Sequence, residues 1–408
     1  MQNRLTRGAA AFAGLVLTGT GLGLGVVNAT PAAASSYDCP AGYFCGWSGE
    51  SATGSMWKTS KSVADLGAWD NKIRSYVNRT KVFACVYEDK NYSPWGGYFA
   101  QDPNSAGEYS SGPDATTSSI KFVHTERECG QTAYPGWYSE IAPKAQGFGD
   151  MNGDRRADVI ARDDAGRLWF TPGTGTGRLI GSGFNGMNTL TRHGDLSRDG
   201  REDLVTREAA TGKLWLYPGT GTGSLGSRRL IGAGGWNSMS KITAFGDLTG
   251  DGRSDLLAVE KSTGKLWLYP GTTTGTLGSR RLIGSGGWNS MNALVGMGDV
   301  SGDGRADLYA REAATGKLWL YPGTTTGKFG TRKLVGSGGW NAMANLISVG
   351  DFSGDGRPDL ATVTNEKYAI DGYVGNPGWL IKYLGRNTGT LAAGERTDGE
   401  WWGLNGLA

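Results

Sequence analysis

The chain has 408 residues, with 41 lysines and arginines against 38 aspartates and glutamates, and its net formal charge is +3. This near balance predicts no basic surface for nucleic acid and no membrane-binding footprint. Only two histidines and four cysteines are present, so few residues are available for nucleophilic catalysis.

The first 34 residues have the features of a secretory signal. Arg4 and Arg7 give a positive start, an apolar stretch runs from Ala9 to Val27, and small residues precede Ser35. No second hydrophobic span follows. We therefore expect a soluble, exported mature chain, with a slowly cleaved anchor as the alternative.

All four cysteines lie before residue 130, at Cys39, Cys45, Cys85 and Cys129. An even number in an exported chain predicts two disulfides. Of the three pairings we favour Cys39–Cys45 and Cys85–Cys129. Residues 35–130 then form a disulfide-supported domain, residues 131–136 a short linker, and residues 137–408 a cysteine-free second domain.

The first domain contains a weak internal duplication. Phe44-Cys-Gly-Trp47 is echoed by Cys85-Val-Tyr87, and each copy ends in a serine-bearing stretch, at Ser75 and at Ser118-Ser119. The two motifs resemble a pair of βγ-crystallin-type Greek keys. We therefore expect a crystallin-like fold in this domain.

The opening Cys39-Pro-Ala-Gly-Tyr-Phe-Cys45-Gly-Trp resembles the actinobacterial peptidase inhibitor family. The founding member of that family blocks thermolysin-like metalloproteinases with a crystallin-like domain. The resemblance covers residues 37–130 and implies a secreted metalloprotease as a partner. Arg74 and Ala115 interrupt the two calcium motifs of the crystallin type, which argues against calcium in this domain.

Five acidic loops dominate the second domain. Three aspartates recur with the spacing Asp-x-polar-x-Asp-x-x-x-Asp, and the loops begin at Asp150, Asp195, Asp247, Asp299 and Asp351. The last four loops start 52 residues apart, and the first gap is 45 residues. A fixed period of this size indicates one supersecondary unit copied several times.

Each loop offers oxygens for one calcium ion, a hard cation that binds six to eight oxygen ligands. We expect ligands from loop positions 1, 3, 5, 7 and 9, where position 7 contributes its carbonyl, and hence up to five Ca2+ ions. Positions 1, 5 and 9 are Asp150, Asp154 and Asp158; Asp195, Asp199 and Asp203; Asp247, Asp251 and Asp255; Asp299, Asp303 and Asp307; and Asp351, Asp355 and Asp359. Position 3 is Asn152, Ser197, Thr249, Ser301 or Ser353, and position 7 is Arg156, Arg201, Arg253, Arg305 or Arg357.

Position 6 needs a residue that permits a sharp reversal, and glycine fills it in four loops. These glycines are Gly200, Gly252, Gly304 and Gly356. The first loop has Arg155 there, so we expect it to be the weakest or most distorted. The arginine side chains at position 7 are expected to screen the carboxylates.

The loops differ from the helix–loop–helix type because no glutamate stands at position 12. The residues that follow a loop, such as Leu256–Val259, have strand composition, so we expect a strand–loop–strand site. Asp-Gly turns of hairpins that need no metal are the alternative. Fifteen carboxylates in five short loops would repel one another without cations, which favours calcium.

Each repeat contains four predicted strands. They are the run into the loop, the run out of it, a Leu-Trp-Leu-Tyr strand such as Leu266–Tyr269, and an Arg-Arg-Leu-Ile strand such as Arg280–Ile283. Four strands in about 50 residues, repeated, are typical of a β-propeller. Gly136–Ser139 echoes the later joins between repeats, so we expect five full blades rather than six or seven.

The Gly-Asp-x-x-Gly-Asp-Gly-Arg-x-Asp-Leu strings within residues 137–408 resemble FG-GAP (VCBS-type) repeats. The resemblance implies a propeller that holds calcium in the first inter-strand loop of each blade. The expected fold class is therefore all-β, with a crystallin-like Greek-key domain followed by a five-bladed propeller.

Tryptophans recur at two places in the repeats. One set alternates with leucines on a strand, at Trp215, Trp267 and Trp319, and the other lies at the blade joins, at Trp236, Trp288 and Trp340. Packing between blades explains most of them. The join tryptophans could instead stack on the face of a sugar ring.

We expect no enzymatic activity. His193 fills a place that is apolar in the other repeats, His124 has no evident partner, and the cysteines are assigned to disulfides. No nucleophile elbow, zinc helix or phosphate loop is present in the sequence. A carboxylate pair can form a hydrolase site, but the repeated aspartates are better explained as calcium ligands.

Two functions remain as hypotheses. In the first, the front domain inhibits a secreted metalloprotease and the propeller binds a ligand. In the second, the propeller is a lectin or adhesin for a glycan or cell-wall polymer, and the front domain is a structural module. Neither hypothesis involves nucleic acid or a membrane.

Overall fold

The computed structural model describes residues 38–93, 96–108, 116–130, 136–175, 177–401 and 403–408. In these ranges the chain forms strands and short 3-10 turns, with no α-helix. It divides into two compact units, Met1–Thr132 and Ala133–Ala408. The proposed signal, residues 1–34, and residues 131–135 of the proposed linker lie outside the described residues, as does Ala115.

The first unit contains two antiparallel sheets. Its strands are β1 (Phe44–Trp47), β2 (Met56–Thr59), β3 (Ser75–Asn78), β4 (Phe83–Tyr87), β5 (Tyr98–Gln101), β6 (Ser105–Glu108) and β7 (Ser119–Val123), and its 3-10 turns are Gly67–Trp69, Lys90–Tyr92 and Glu126–Cys129. The sheet orders are β2-β1-β3-β6 and β5-β4-β7. Strand β6 of the second half pairs with β3, and Val63 of the first half bridges Ile120 on β7. Each half therefore contributes a segment to the other half's sheet.

The duplication predicted in this unit is visible in matching serine contacts. The Ser75 hydroxyl donates to the Gly49 carbonyl at 2.7 Å, and the Ser119 hydroxyl donates to the Asp89 carbonyl at 2.6 Å. Both serines are buried. In each half the serine thus ties a preceding loop to the last strand.

Two disulfides support this unit, and their pairing is the one that the sequence favours. Cys39 bonds to Cys45, and Cys85 bonds to Cys129. All four sulfurs belong to buried residues. Because a disulfide restricts the unfolded chain, each typically contributes about 2–4 kcal/mol to stability.

The second unit is built from short strands joined by turns. Its strands are β8 (Trp137–Tyr138), β9 (Val159–Asp163), β10 (Leu168–Thr171), β11 (Thr174–Gly175), β12 (Arg178–Gly181), β13 (Met187–His193), β14 (Asp203–Glu208), β15 (Leu214–Tyr217), β16 (Arg229–Gly232), β17 (Met239–Gly246), β18 (Asp255–Glu260), β19 (Leu266–Tyr269), β20 (Arg281–Gly284), β21 (Met291–Gly298), β22 (Asp307–Glu312), β23 (Leu318–Tyr321), β24 (Lys333–Gly336), β25 (Met343–Ser348), β26 (Leu360–Thr364), β27 (Leu380–Tyr383), β28 (Glu395–Asp398) and β29 (Leu404–Leu407). The 3-10 turns are Phe184–Gly186, Trp236–Ser238, Trp288–Ser290 and Trp340–Ala342.

These strands form five four-stranded antiparallel sheets that resemble propeller blades. In chain order the sheets are β12-β10-β9-β29, β13-β14-β15-β16, β17-β18-β19-β20, β21-β22-β23-β24 and β25-β26-β27-β28, which we number from first to fifth. In the second to fifth sheets, the four strands are the four that the sequence predicts for each repeat. The innermost strands β13, β17, β21, β25 and β29 touch in turn, and β29 also touches β13.

The first sheet differs from the prediction. Its innermost strand is β29, in which Leu404 pairs with Asp163 and Leu407 with Ala161. The predicted equivalence of Gly136–Ser139 with the later joins is therefore wrong, because β8 pairs with β11 in a separate two-stranded sheet. A strand from the end of the unit covers an edge that would otherwise present unpaired backbone groups.

The hydrophobic cores lie between neighbouring sheets. Leu257 and Leu268 of the third sheet pack in one cluster with Leu308 of the fourth. Leu256 of the third sheet packs in turn with Val205 of the second. Because both faces of a strand such as β18 are buried, its residues Leu256–Val259 are apolar throughout rather than alternating.

One buried ion pair joins the second sheet to the first loop. The Arg192 guanidinium donates from Nε and Nη2 to the two carboxylate oxygens of Glu202, each at 2.7 Å. The Glu202 carboxylate also accepts the Gly149 amide at 2.9 Å, and Arg192 donates to the Asp158 carbonyl. The side chains of Arg192 and Glu202 are only 1% and 2% exposed.

Replacing Glu202 by glutamine leaves the Arg192 charge buried without its partner. We expect the free energy of unfolding of the second unit to fall by about 3–5 kcal/mol, as is typical when a buried ion pair is broken. Urea unfolding followed by tryptophan fluorescence measures the change.

Glu312→Gln is the matched control, since Glu312 and Arg332 are 3.8 Å apart and the arginine side chain is 42% exposed. A surface pair of this kind contributes less than about 1 kcal/mol. Equal losses in the two variants would contradict the role assigned to the buried pair.

Candidate functional site

The acidic loops occupy the same place in each repeat of the second unit. In the second, third and fourth sheets, a loop leaves the innermost strand and its ninth residue begins the next strand, at Asp203, Asp255 and Asp307. This is the strand–loop–strand arrangement that the sequence predicts.

The aspartate at position 1 closes the loop through backbone contacts. In the third loop, Asp247 Oδ1 accepts the amides of Gly250 and Asp251 at 2.6 and 3.1 Å, and Oδ2 accepts the amide of Gly252 at 2.7 Å. The equivalent aspartates Asp150, Asp195, Asp299 and Asp351 accept amides in the same way. The carboxylate therefore shapes the turn directly.

The aspartate at position 9 is buried and anchors the loop to its own sheet. Asp255 Oδ2 accepts the amides of Leu248 and Thr249, each at 3.0 Å, and Oδ1 accepts the amide of Gly271 after β19, also at 3.0 Å. Burial raises the pKa of Asp255 to about 6 because it disfavours the charged form.

The other position 9 carboxyls behave in the same way. Burial raises the pKa of Asp158 to about 7, and it raises the pKa values of Asp203 and Asp359 to about 6. The pKa of Asp307 is also raised by burial. Backbone amides oppose the rise in each case, so these carboxyls are placed where added positive charge would be favourable.

Two positions of each loop adopt the left-handed backbone conformation. Position 6 has φ of 78° at Gly252, and position 4 has φ of 75° at Gly250. Arg155 at position 6 of the first loop has φ of 66°, and Arg198 at position 4 of the second loop has φ of 68°. For a residue with a Cβ this conformation costs about 1–2 kcal/mol.

The first loop is less distorted than the sequence predicts. Asp150 still accepts the amides of Gly153, Asp154 and Arg155, at 2.7, 3.1 and 2.8 Å. The strain is confined to the backbone at Arg155. The requirement at position 4, which glycine meets in every loop except the second, was not part of the prediction.

The arginine at position 7 contacts the loop carboxylates in three loops, as predicted. Arg253 donates to Asp251, Arg305 lies 3.2 Å from Asp303, and Arg357 lies 2.9 Å from Asp355. In the first loop, Arg156 donates instead to the Ser139 carbonyl. A cation in the third, fourth or fifth loop would have to share the position 5 carboxylate with a guanidinium group.

The position 3 side chains test whether the loops suit a cation. The hydroxyl oxygens of Ser197 and Ser301 are buried and interact with the position 9 carboxylates Asp203 and Asp307, but they accept no hydrogen bond from a described residue. The position 1 and position 9 carboxylates accept up to three amides each, and a carboxylate has about four acceptor sites. Free oxygen lone pairs therefore remain around the loop, and calcium is the kind of ion that uses them.

Within the described residues, no three acidic, histidine or cysteine side chains converge into a metal-binding cluster. An ion in these loops would accordingly need hydroxyl, amide and carbonyl oxygens in addition to carboxylates. That mixed set is the one the loop positions offer.

The two histidines lie outside any catalytic arrangement. His193 is fully buried at the end of β13, and burial lowers its pKa to about 4, so the imidazole is neutral at pH 7. His124 is exposed in the first unit, where its backbone amide donates to Glu128. His193 fills the packing place that the sequence predicts.

The join tryptophans are covered by the next sheet. Trp236 is 9% exposed and lies 4.5 Å, ring to ring, from Tyr269. Trp288 and Trp340, each 8% exposed, lie 4.7 and 4.8 Å from the next tyrosine. These rings present no open face to a sugar, so the packing role fits their geometry.

The strand tryptophans have a partner that the sequence analysis missed. An arginine guanidinium lies over each ring, with Arg228 4.1 Å from the Trp215 centroid and Arg280 4.0 Å from the Trp267 centroid. Arg332 covers Trp319 at 4.0 Å. Cation–π contacts of this kind explain why arginine precedes β16, β20 and β24.

None of the helical segments in the described part of the chain has the length and apolar character that a membrane crossing requires.

The fold and the loops thus define a small disulfide-bonded β unit and a repeat unit with one acidic loop per sheet. Residues 32–99 match the family model for peptidase inhibitor family I36. Residues 195–258, 247–310 and 299–362 match the model for the FG-GAP-like repeat. The chain therefore carries a peptidase inhibitor I36 domain followed by three FG-GAP-like repeats, which confirms both resemblances. The first loop lies outside the matched ranges.

Solved structures with some likeness include an Agrocybe aegerita lectin that recognises non-reducing terminal N-acetylglucosamine, at 20% identity and a TM-score of 0.36, covering 62% of this chain and 67% of that one. The calcium-binding protein regucalcin from Agrobacterium tumefaciens has 13% identity and a TM-score of 0.31, covering 65% and 79%. A Photorhabdus luminescens Tc holotoxin pore has 14% identity and a TM-score of 0.34, covering 88% of this chain and 17% of that one. Likenesses this low carry no argument about function. A comparison with curated proteins gives no match.

Because Arg155 and Arg198 have a left-handed backbone conformation, we predict that the first and second loops are less stable than the other three. We expect Arg155→Gly and Arg198→Gly each to raise the free energy of unfolding by about 0.5–1 kcal/mol, because glycine removes the strain but adds freedom to the unfolded chain. Urea unfolding of the second unit measures the gain.

Gly252→Arg is the reverse change and serves as the control. A Cβ at Gly252 would meet nothing within 4 Å, so its expected loss of about 1 kcal/mol is conformational. Destabilisation by the two arginine-to-glycine changes would contradict the assignment of strain.

Proposed function

We propose that this is an exported protein without enzymatic activity, whose first unit inhibits a secreted metalloprotease and whose second unit is a calcium-binding, five-bladed propeller that holds a ligand. The observation that carries the first part is the peptidase inhibitor I36 match on residues 32–99. Those residues include β1 to β4, which belong to both sheets of the first unit.

The architecture of the first unit supports an inhibitor that survives outside the cell. Two buried disulfides favour an oxidising compartment. The exchange of segments between its two sheets is the arrangement expected of paired crystallin-type Greek keys. A domain held at this many points resists the local opening that a protease needs in order to cleave it.

Several observations support a role without catalysis. The buried His193 is neutral, the four cysteines are bonded in pairs, and the loop aspartates accept backbone amides. These groups are therefore committed to structure. The join tryptophans have covered rings and so do not offer the aromatic face on which the lectin hypothesis depends. A glycan would therefore have to bind elsewhere on the propeller.

The calcium proposal assigns one ion to each acidic loop, with ligands from positions 1, 3, 5 and 9 and the position 7 carbonyl. The hydroxyl oxygens of Ser197 and Ser301, which accept no hydrogen bond from a described residue, support it, as does the burial that raises the position 9 pKa values. An ion there would supply positive charge between two strands of one sheet and so stabilise that sheet. Without the ion, the aspartates at positions 1 and 9 hold the loop in its shape.

Inhibition is tested by titrating the exported chain, residues 35–408, against a thermolysin-like metalloprotease. We expect stoichiometric loss of protease activity, with subtilisin as the serine protease control and gel analysis to show that the chain is not merely cleaved as a competing substrate. The absence of inhibition at micromolar concentration would contradict the proposal.

Calcium binding is tested by calorimetric titration of the chelator-stripped chain. We expect uptake of up to five ions, and at 100 times the dissociation constant each site adds about 2.7 kcal/mol of stability. Asp251→Asn should lower the stoichiometry by one, because asparagine can still accept the Arg253 amide, which lies 3.0 Å from Asp251 Oδ1, but lacks the charge.

Asp371→Asn is the matched control for this titration. Asp371 lies outside the loops with φ of 52°, a conformation that asparagine tolerates. Its calcium stoichiometry should equal that of the unaltered chain. A stripped chain that takes up no calcium, or a melting temperature that chelator leaves unchanged, would show the assignment to be wrong.

A further inference from the structure

A cavity of about 320 Å³ lies at one end of the ring of innermost strands in the second unit. It is lined by the beginnings of β13, β17, β21 and β25, by β29, and by four cationic side chains. These are Arg162, Arg207, Lys241 and Arg311. None of the acidic loops lines it.

Two of these arginines are buried and only partly satisfied. Arg207 donates from Nε to Asn188 at 2.6 Å, and from Nη1 to the carbonyls of Trp236 and Met239 at 3.0 and 2.7 Å. Arg311 makes the equivalent three contacts, with Asn292, Trp340 and Met343. The described residues offer no hydrogen-bond partner to the Nη2 amino group of either arginine. The two residues are only 6% and 8% exposed.

Three of the four cations of this cavity, Arg207, Lys241 and Arg311, have no carboxylate partner among the described residues. Burial lowers the pKa values of Arg207, Lys241 and Arg311, and no neighbouring carboxylate opposes that effect. Arg162 differs, because the Asp164 carboxylate interacts with it and accepts a hydrogen bond from Asn405. A buried charge without a partner is costly, so the arrangement favours an anion from outside the chain.

Blade packing does not require these arginines. Arg207 stands opposite Thr189 in the second sheet, and Arg311 stands opposite Ala293 in the fourth. The same register position holds Val259 in the third sheet and Val363 in the fifth. Two sheets of the same ring thus close with valine at this position, whereas the arginines bind join carbonyls of the next sheet through Nη1 and leave Nη2 at the cavity.

We propose that the cavity binds one oxyanion group, a carboxylate, sulfate or phosphate, carried by a ligand of about monosaccharide size. The remaining Nη2 group of each arginine can donate a charge-assisted hydrogen bond to such a group, and Lys241 adds a point charge from the intervening sheet. The cavity volume is at the lower end of the range for small-ligand sites. The inference rests on the proposed role of the second unit as a binding unit and names the chemistry of its ligand.

The test is calorimetric titration of the exported chain with sodium sulfate, inorganic phosphate and glucuronate in a chloride buffer of low ionic strength. Glucose is the neutral control. We expect saturable binding of at least one anion, weakened by added sodium chloride, and no binding of glucose. The anion that binds most tightly identifies the oxyanion class. Absence of binding by all three anions would overturn the proposal.

Lys241→Met removes one cation of the cavity, and its ammonium contacts only the Ser240 hydroxyl, at 3.5 Å. We expect affinity for the anion to fall at least about tenfold with an unchanged melting temperature. Lys261→Met, an exposed lysine outside the cavity, should keep full affinity. Equal affinity in the Lys241 variant, or an equal loss in both variants, would overturn the proposal.

Arg311→Val gives the fourth sheet the residue that the third and fifth sheets already carry. We expect a similar loss of affinity, and its melting curve shows whether the chain remains folded. Protease inhibition and calcium uptake are measured on the same variants. They should be unchanged, so a failure of anion binding is distinguishable from a failure of the function proposed above.

Discussion

The second unit depends on one strand pairing, that of β29 with β9. Each sheet buries both faces against its neighbours, so a row of five sheets would leave two apolar faces open unless its ends met. The amides of Ile160 and Ala408 bond to each other's carbonyls at 2.7 and 2.9 Å. Beneath this junction, Trp401 is 1% exposed and packs edge to face against Trp137 at 6.1 Å. The loops and the cavity are both positioned by strands that this closure holds in place.

The acidic loops combine two separable features. Hydrogen bonding alone accounts for aspartate at positions 1 and 9, because those side chains accept the amides that shape the turn and anchor it to the sheet. Ion pairing with the position 7 arginine accounts for position 5 in three loops. The buried hydroxyls at position 3 of the second and fourth loops interact with the position 9 carboxylates but accept no hydrogen bond from a described residue, so their oxygens remain available to a cation.

Local patterns in the sequence predict most of the second unit, and they do so because each repeat shows the same residues several times. The four strands of the later repeats, the loop positions and the packing place of His193 follow from that repetition. The role of Leu404–Leu407 could not be predicted, because its partner β9 is distant in the chain and its sequence differs from the other innermost strands. The left-handed backbone at loop position 4, where Arg198 lies, was not predicted either. Glycine at that position in the other four loops does not by itself show that such a backbone is required. The covering of Trp236 by Tyr269 depends on how sheets pack, which no single repeat reveals.

Because every copy of a repeat buries the same faces, packing is the simplest explanation for a residue that recurs in every copy. A site that occurs once in the ring, rather than once in every sheet, has to use positions where the copies differ. At one register position, the innermost strands of the second to fifth sheets and then of the first carry Thr189, Lys241, Ala293, Asn345 and Gly406. The residues that pair with them on the adjacent strand are, in the same order, Arg207, Val259, Arg311, Val363 and Arg162. The recurring loops, by contrast, differ little from sheet to sheet. The asymmetry that binding requires is therefore concentrated at the end of the ring away from the loops, in a cavity where Arg207, Lys241 and Arg311 have no carboxylate partner among the described residues.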